Sequence, residues 1–230
     1  MADPRGPAAR LIDVSYAYPS GGSRTPAVRE FSLDVPSAAV TLLRGPSGCG
    51  KSTVLRLLAG VDTPDEGLVE VAGIPISRLG RGARSRARAL HVGYLFQDPP
   101  DNLLEELTSV QQVVFAARLR GVRMDRESAL RCLADVDAAE LADRRVAEVS
   151  GGQQQRIAVA AVLAGGPGLI VADEPTAELD SRNGQVILDL LVAVARAGRA
   201  VVLASHEPSA LRVTSHTVDM EAHRDHARDR

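Results

Sequence analysis

Tryptophan is absent from this 230-residue chain, three tyrosines and three phenylalanines are its only aromatics, and lysine occurs once. A chain with so few stacking faces and a net charge of −2 is poorly suited to coat nucleic acid, so no nucleic-acid partner is expected. The two cysteines, Cys49 and Cys132, match neither a zinc spacing nor a disulfide framework. Long apolar runs are also missing. The stretch from Ile157 to Ala172 is broken by Gly165, Gly166, Pro167 and Gly168 and falls short of the roughly 20 residues a membrane helix needs. The opening residues MADPRGPAAR carry prolines and charges where a signal peptide needs an apolar core, which predicts a cytosolic protein. What is present, 45% apolar residues, suffices to bury a core in one domain, with room for an insert.

Leu11 to Tyr16 and Ala27 to Val35 alternate as strands, and the turn-rich SGGSRTP between them predicts an antiparallel pair joined by a loop. Val40 to Leu43 is a short apolar strand running into GPSGCGKST, after which Val54, Leu55, Leu57 and Leu58 recur at helical spacing until Gly60. Strands are predicted at Leu68–Ala72 and His91–Phe96, with a basic run from Arg78 to Arg88 between them. Residues 99–147 show helical periodicity and no strand signal, and so form a helical insert. From Gln153 onward helix, strand, helix and strand alternate, which implies a parallel sheet with ligands at the carboxyl ends of its strands.

Gly45, Gly50, Lys51 and Ser52 satisfy G-x-x-x-x-G-K-[ST]. Glycines let backbone N–H groups turn inward on phosphates, the following helix adds its positive end, the lysine reaches the β/γ oxygens and the serine hydroxyl ligates Mg²⁺. Arginine fills every other position in the Lys/Arg set, and here, where it does not, a slim point charge fits and a planar guanidinium is wider. Further on, the apolar strand Leu169–Ala172 delivers Asp173 and Glu174 to the same edge of the sheet, the first suited to orient Mg²⁺ and the second to polarise water. His206 follows the strand Ala200–Ala204 on that edge.

VSGGQQQR, from Val149 to Arg156, resembles the signature motif of ATP-binding cassette ATPases. It lies between the phosphate loop and IVADEPT in the order that family uses, and Gln97, the ELD of Glu178 to Asp180 and His206 extend the likeness from Leu11 to about Val218. The resemblance implies an α/β P-loop NTPase fold with a mostly parallel central sheet, an N-terminal antiparallel β subdomain and a helical insert. It divides the single domain into an ATP-binding core over 9–98 and 148–220 and a helical subdomain over 99–147, with flexible ends at 1–8 and 221–230. It implies ATP and Mg²⁺ as cofactors. Tyr18 matches the aromatic that stacks on adenine, while Gly45, Pro46, Ser47, Gly48, Cys49, Gly50, Lys51, Ser52 and Thr53 match the phosphate loop. Gln97 matches a glutamine that reaches Mg²⁺, joining Ser52 and Asp173 as metal ligands. Glu174 matches the catalytic base, His206 the switch histidine and Asp180 a loop that crosses a dimer. Ser150, Gly151, Gly152 and Gln153 match the signature, which completes the site of the opposite subunit. A helix N-terminus with exposed amides, aimed at a γ-phosphate, is chemically suited to that task.

The implied partners are a second cassette subunit and a separate transmembrane permease, which would hold the protein at the inner face of the membrane. Val149, Ala161 and the Gln111–Gln112 pair depart from the family pattern, and the change at Ala161 puts an internal salt bridge in question. The loop GPSGCGKST and the segment FQDPPDNLLEELT are similar to cassettes of the lipoprotein-release and macrolide-export group. The alternatives are a soluble cassette acting on ribosomes or DNA, which usually carries two cassettes or a coiled-coil insert, and a non-hydrolysing sensor, which Glu174 and His206 disfavour. The arginine run reads as a solvated helix face.

Overall fold

The computed structural model describes residues 6–21, 23–177 and 179–221. Ala9–Ser20 (β1) and Ser23–Val35 (β2) form an antiparallel hairpin paired from Ala9↔Val35 to Ser20↔Ser23. The expected SGGSRTP connection is therefore shorter than its composition suggests. Arg24 draws its segment into the strand by donating to the Ala17 carbonyl at 2.6 Å and to the Asp65 carboxylate at 2.7 and 2.8 Å. That guanidinium holds the Asp65 carboxyl below the usual carboxylate range. Register shifts between Leu11 and Ala17 interrupt the alternation, and Asp13 and Glu30 take φ of 47° and 44° nearby, as bulged strands require. Ala8, expected in a flexible end, is tied down through its N–H to Val35 and its carbonyl to Ala72.

Glu66–Val71 (β4) pairs with the other edge of β1, giving the three-stranded order β2-β1-β4. At Gly67 the backbone has φ +86°, and a Cβ would lie 2.4 Å from the Asp13 carbonyl oxygen and 2.5 Å from that of Ile12. Both objections are to backbone, which cannot step aside as a side chain can. Gly67→Ala is expected to cost more than about 1 kcal/mol. Thermal unfolding should register this as a fall in Tm of at least about 2–4 °C.

The second sheet contains Val40–Arg44 (β3), Val92–Leu95 (β5), Leu169–Asp173 (β6), Ala200–Ala204 (β7) and His216–Asp219 (β8), all parallel, in the order β5-β6-β7-β3-β8. All five residues of β7 are buried, as expected of a central strand covered on both faces. Alternate residues feed two cores. Leu43, Val171 and Val202 pack with Lys51–Leu58 (α1) and the antiparallel sheet, while Leu42, Ile170 and Val201 face the helices on the other side. β3 and β6 are not neighbours, since β7 lies between them.

Arg81–His91 (α2) carries the basic run and ends where β5 begins, so His91 belongs to the helix rather than to the strand expected from His91. Ala87 is the buried residue of this helix, and Arg81 and Arg86 are exposed, as a solvated face requires. The insert holds Ser109–Leu119 (α3) and Arg126–Ala134 (α4) with short 3-10 turns, and both helices pack on Gly151–Leu163 (α5). Its two unusual glutamines have local tasks. Gln111 closes a capping box with Thr108, and buried Gln112 donates to the Leu104 carbonyl. Ser181–Arg196 (α6) and Pro208–Leu211 (α7) complete the helices.

Candidate functional site

The carboxyl edge of the parallel sheet gathers the chemistry. The glycine loop after β3 uses left-handed backbone at Gly48 (φ 77°) and Gly50 (φ 101°), and a Cβ at Gly50 would lie 2.7 Å from the Ala27 carbonyl oxygen. Helix α1 starts at Lys51 with Gly50 as N-cap, no side-chain cap and no acid in its first turn. By contrast Thr108, Asp125 and Asp180 each cap a helix through a side-chain oxygen. The first amides of α1 are thus left to an external anion, the arrangement a phosphate requires. Lys51 is buried to 8% exposure, and its ammonium donates to the carbonyls of Gly45 (2.8 Å) and Pro46 (3.1 Å), which holds it along the loop. Cys49 is buried beneath the loop, its sulfur crowding the space a Cβ on Gly45 would need.

Although β7 separates β3 from β6, helix α1 brings the two motifs together: the Ser52 hydroxyl donates to Asp173 Oδ1 at 3.2 Å. Burial raises the Asp173 carboxyl above its ordinary pKa, with the Glu174 charge adding to this, while the Ser52 hydrogen bond, Lys51 and the nearby Tyr94 hydroxyl oppose it. Tyr94, on β5, is a partner that the motifs alone do not reveal. Its own pKa is raised chiefly by burial and by the charge of Asp173, and its ring stacks on Phe96 at 4.4 Å.

Glu174 leaves β6 with φ 44°, a left-handed conformation that a glutamate adopts only when its surroundings enforce it. Its N–H donates to the Ala204 carbonyl, Oε1 lies 3.0 Å from His206 Nδ1, and Oε2 is buried without a hydrogen-bond partner among the described residues. The glutamate side chain is 14% exposed and the histidine 68%, so a carboxylate in a recess is met by an imidazole at its mouth. Such a pair can orient and deprotonate a water.

The other residues that the motifs single out differ in position and partner. Tyr18 shares a hydrogen bond with Thr53 Oγ1 (3.2 Å) at the start of α1, and Tyr16 meets its ring edge-on at 5.0 Å. Gln97 is exposed and lines a cleft of about 400 Å³ with Asp98, Asp101 and residues of α5. In the signature segment Gly151 and Gly152 open α5, and the Gln153 side-chain oxygen accepts the Ser150 N–H at 2.9 Å. Asp180 serves as the N-cap of α6, accepting from the N–H groups of Arg182 and Asn183, bonds that lower its pKa. Glu178 and the ends at 1–5 and 222–230 lie outside the described residues. Where the family pattern would continue with arginine, Ala161 is buried, and Arg156 instead pairs with Asp137 at 3.0 Å.

The ABC transporter family model matches residues 28–177. The chain belongs to the ABC transporter family. It is an ATPase cassette of that family. The chain is 34% identical over 202 residues to the lipoprotein-releasing system ATP-binding protein LolD of Paramagnetospirillum magneticum, covering 86% of this chain and 88% of that one. It is 38% identical to an ABC transporter ATP-binding protein of Mycobacterium tuberculosis and 35% identical to the macrolide export ATP-binding/permease protein MacB of Chlorobium luteolum. These matches take in 88% and 89% of this chain but span 62% and 31% of those relatives. Among solved structures, the dimeric post-hydrolysis state of the ATP-binding cassette MJ0796 bound to ADP and Pi superposes with a TM-score of 0.84 at 31% identity, covering 92% of this chain and 93% of that one. No helix among the described residues is long and apolar enough to cross a membrane.

Proposed function

We propose that the cassette hydrolyses Mg²⁺-ATP as one half of a head-to-tail dimer and thereby powers a separate transmembrane permease. The observation that supports this best is the convergence of Ser52 with Asp173 and of His206 with Glu174, at 3.2 and 3.0 Å, beside an uncapped helix start. The loop amides and Lys51 hold the phosphates. Ser52 and Asp173 would hold Mg²⁺, and the paired oxygens fit it, because Mg²⁺ characteristically takes one or two protein oxygens, waters and the nucleotide's own phosphates. Gln97, which follows the neighbouring strand β5, would join them. Mg²⁺, when bound, supplies charge neutralisation on the phosphate oxygens.

Glu174 takes the proton of the attacking water, and His206 holds the glutamate and reaches toward the γ-phosphate. Tyr18 supports the base of the nucleotide, and Ser150, Gly151, Gly152 and Gln153 present a helix N-terminus to the nucleotide of the facing subunit, with Asp180 at the contact between them. Each dimer then contains two composite sites, and closure on ATP followed by opening after hydrolysis is the working stroke. The units within the chain are the core at 9–98 and 148–220 and the helical subdomain at 99–147. The relatives named for lipoprotein release and macrolide export support a permease of that group as partner, with the cassette held at the membrane by it.

Purification from detergent-solubilised membranes tests this. A multi-span protein co-purifying with the cassette supports the reading, and ribosomes or DNA fragments in its place overturn it. Chelation of Mg²⁺ should abolish phosphate release by the complex, and its restoration should recover it.

A further inference from the structure

Gln155, on α5, is 1% exposed, and its Nε2 donates to the carbonyl of Pro175 at 2.8 Å while its Oε1 has no hydrogen-bond partner among the described residues. The amide cannot be turned round, because its oxygen would then face another acceptor. Burying an amide with one end unsatisfied is costly, and an aliphatic chain would fill the same space more cheaply, so what this residue contributes is the one bond it makes. That bond falls on the residue after Glu174, in the turn where the glutamate is held at φ 44°. The far side of the turn is fastened independently. Buried Thr176 donates through its hydroxyl to Glu207 Oε2 at 3.0 Å, and Glu207 follows His206 and also accepts from Ser209. Pro175 has no N–H of its own, so its carbonyl is the only backbone hydrogen-bonding group by which this point of the turn can be gripped.

We infer that Gln155 is a positioning residue for hydrolysis: from the helix that begins with the signature, it fixes the turn that sets the Glu174 carboxylate against its water. The inference rests on Glu174 being the general base. It gives α5 two ends of one task, with its first residues presented to the facing nucleotide and its second-turn amide holding the base of its own site.

The test is steady-state ATP hydrolysis by the cassette–permease complex carrying Gln155→Met, which keeps length and removes the donor, or Gln155→Leu, which removes the donor with a shorter apolar chain. Both should lower kcat by about tenfold or more, as loss of positioning does, with KM for ATP and the thermal midpoint changed little. Wild-type kcat in Gln155→Met overturns the inference, as does a loss confined to KM. If Gln155→Met folds poorly, a Gln155→Leu chain that binds ATP normally and turns over at the wild-type rate overturns it as well. Glu174→Gln in parallel separates the two claims: substantial turnover there removes the general base itself, whereas a dead Glu174→Gln beside a fully active Gln155→Met removes only the positioning role.

Discussion

Glu174→Gln is expected to bind ATP with near wild-type affinity, to lose hydrolysis by about 10²–10⁴-fold, and to accumulate as an ATP-bound dimer. The substitution changes one oxygen for an amide nitrogen and leaves the left-handed turn and its Ala204 and Pro175 anchors intact. Folding and phosphate binding are therefore spared, and proton acceptance is lost. The glutamate's recessed position matters here: it is 14% exposed, and His206 Nδ1 at 3.0 Å from Oε1 holds the carboxylate at the mouth of the recess. Phosphate release by the complex and size-exclusion chromatography with Mg²⁺-ATP provide the readouts. Turnover close to wild type removes the assignment of the base. A variant that is monomeric under saturating ATP, with its partner present, contradicts closure of a dimer.

The second large effect is expected at Lys51. Lys51→Ala should lower turnover by about a hundredfold or more, the scale on which a donor aimed at developing charge contributes. Lys51→Arg should fail almost as badly although it keeps the charge. The ammonium lies along the loop at 8% exposure, between the carbonyls of Gly45 and Pro46, and a planar guanidinium cannot occupy that channel with the same contacts. Equilibrium nucleotide binding and phosphate release distinguish loss of affinity from loss of rate. Full activity of Lys51→Arg shows that charge alone matters, and that the arginines filling the rest of the Lys/Arg set carry no information about this position.

Much of the fold and the site is legible in the sequence, for physical reasons that differ by residue. A loop that must turn its amides inward needs glycine at set positions and a helix behind it, so Gly45 to Ser52 announces both its fold and its use. The buried strands β6 and β7 are continuous apolar runs because both faces are covered, and their last residues are therefore the first that can be polar. The hairpin connection is shorter than its composition implies because serine, threonine and proline are turn formers only until a long-range partner such as Asp65 claims the neighbouring arginine. Adjacency of β3 and β6 is not encoded locally, and the interposed β7 shows why: strand order depends on which faces pack, not on which motif comes next.

Tyr94 and Gln155 escape a reading by motif because their significance lies in the charge of Asp173 and the carbonyl of Pro175, on elements remote in the chain, and no local pattern encodes those. Gln97 and Asp180 illustrate the opposite limit. Their motifs are visible in the sequence, whereas the positions they take, lining a cleft and capping a helix, are not.

The position of β7 has a quantitative corollary. Phosphate loop and carboxylates stand two inter-strand steps apart, about 4.8 Å each, and those steps are set by main-chain ladders that side-chain size hardly touches. β7 acts as a gauge block: it carries no reacting group, it fixes the span of the site, and its Ala204 carbonyl also holds Glu174 in place. Evolution can therefore vary the aliphatic residues of β7 for packing while the distance across which hydrolysis must occur stays constant.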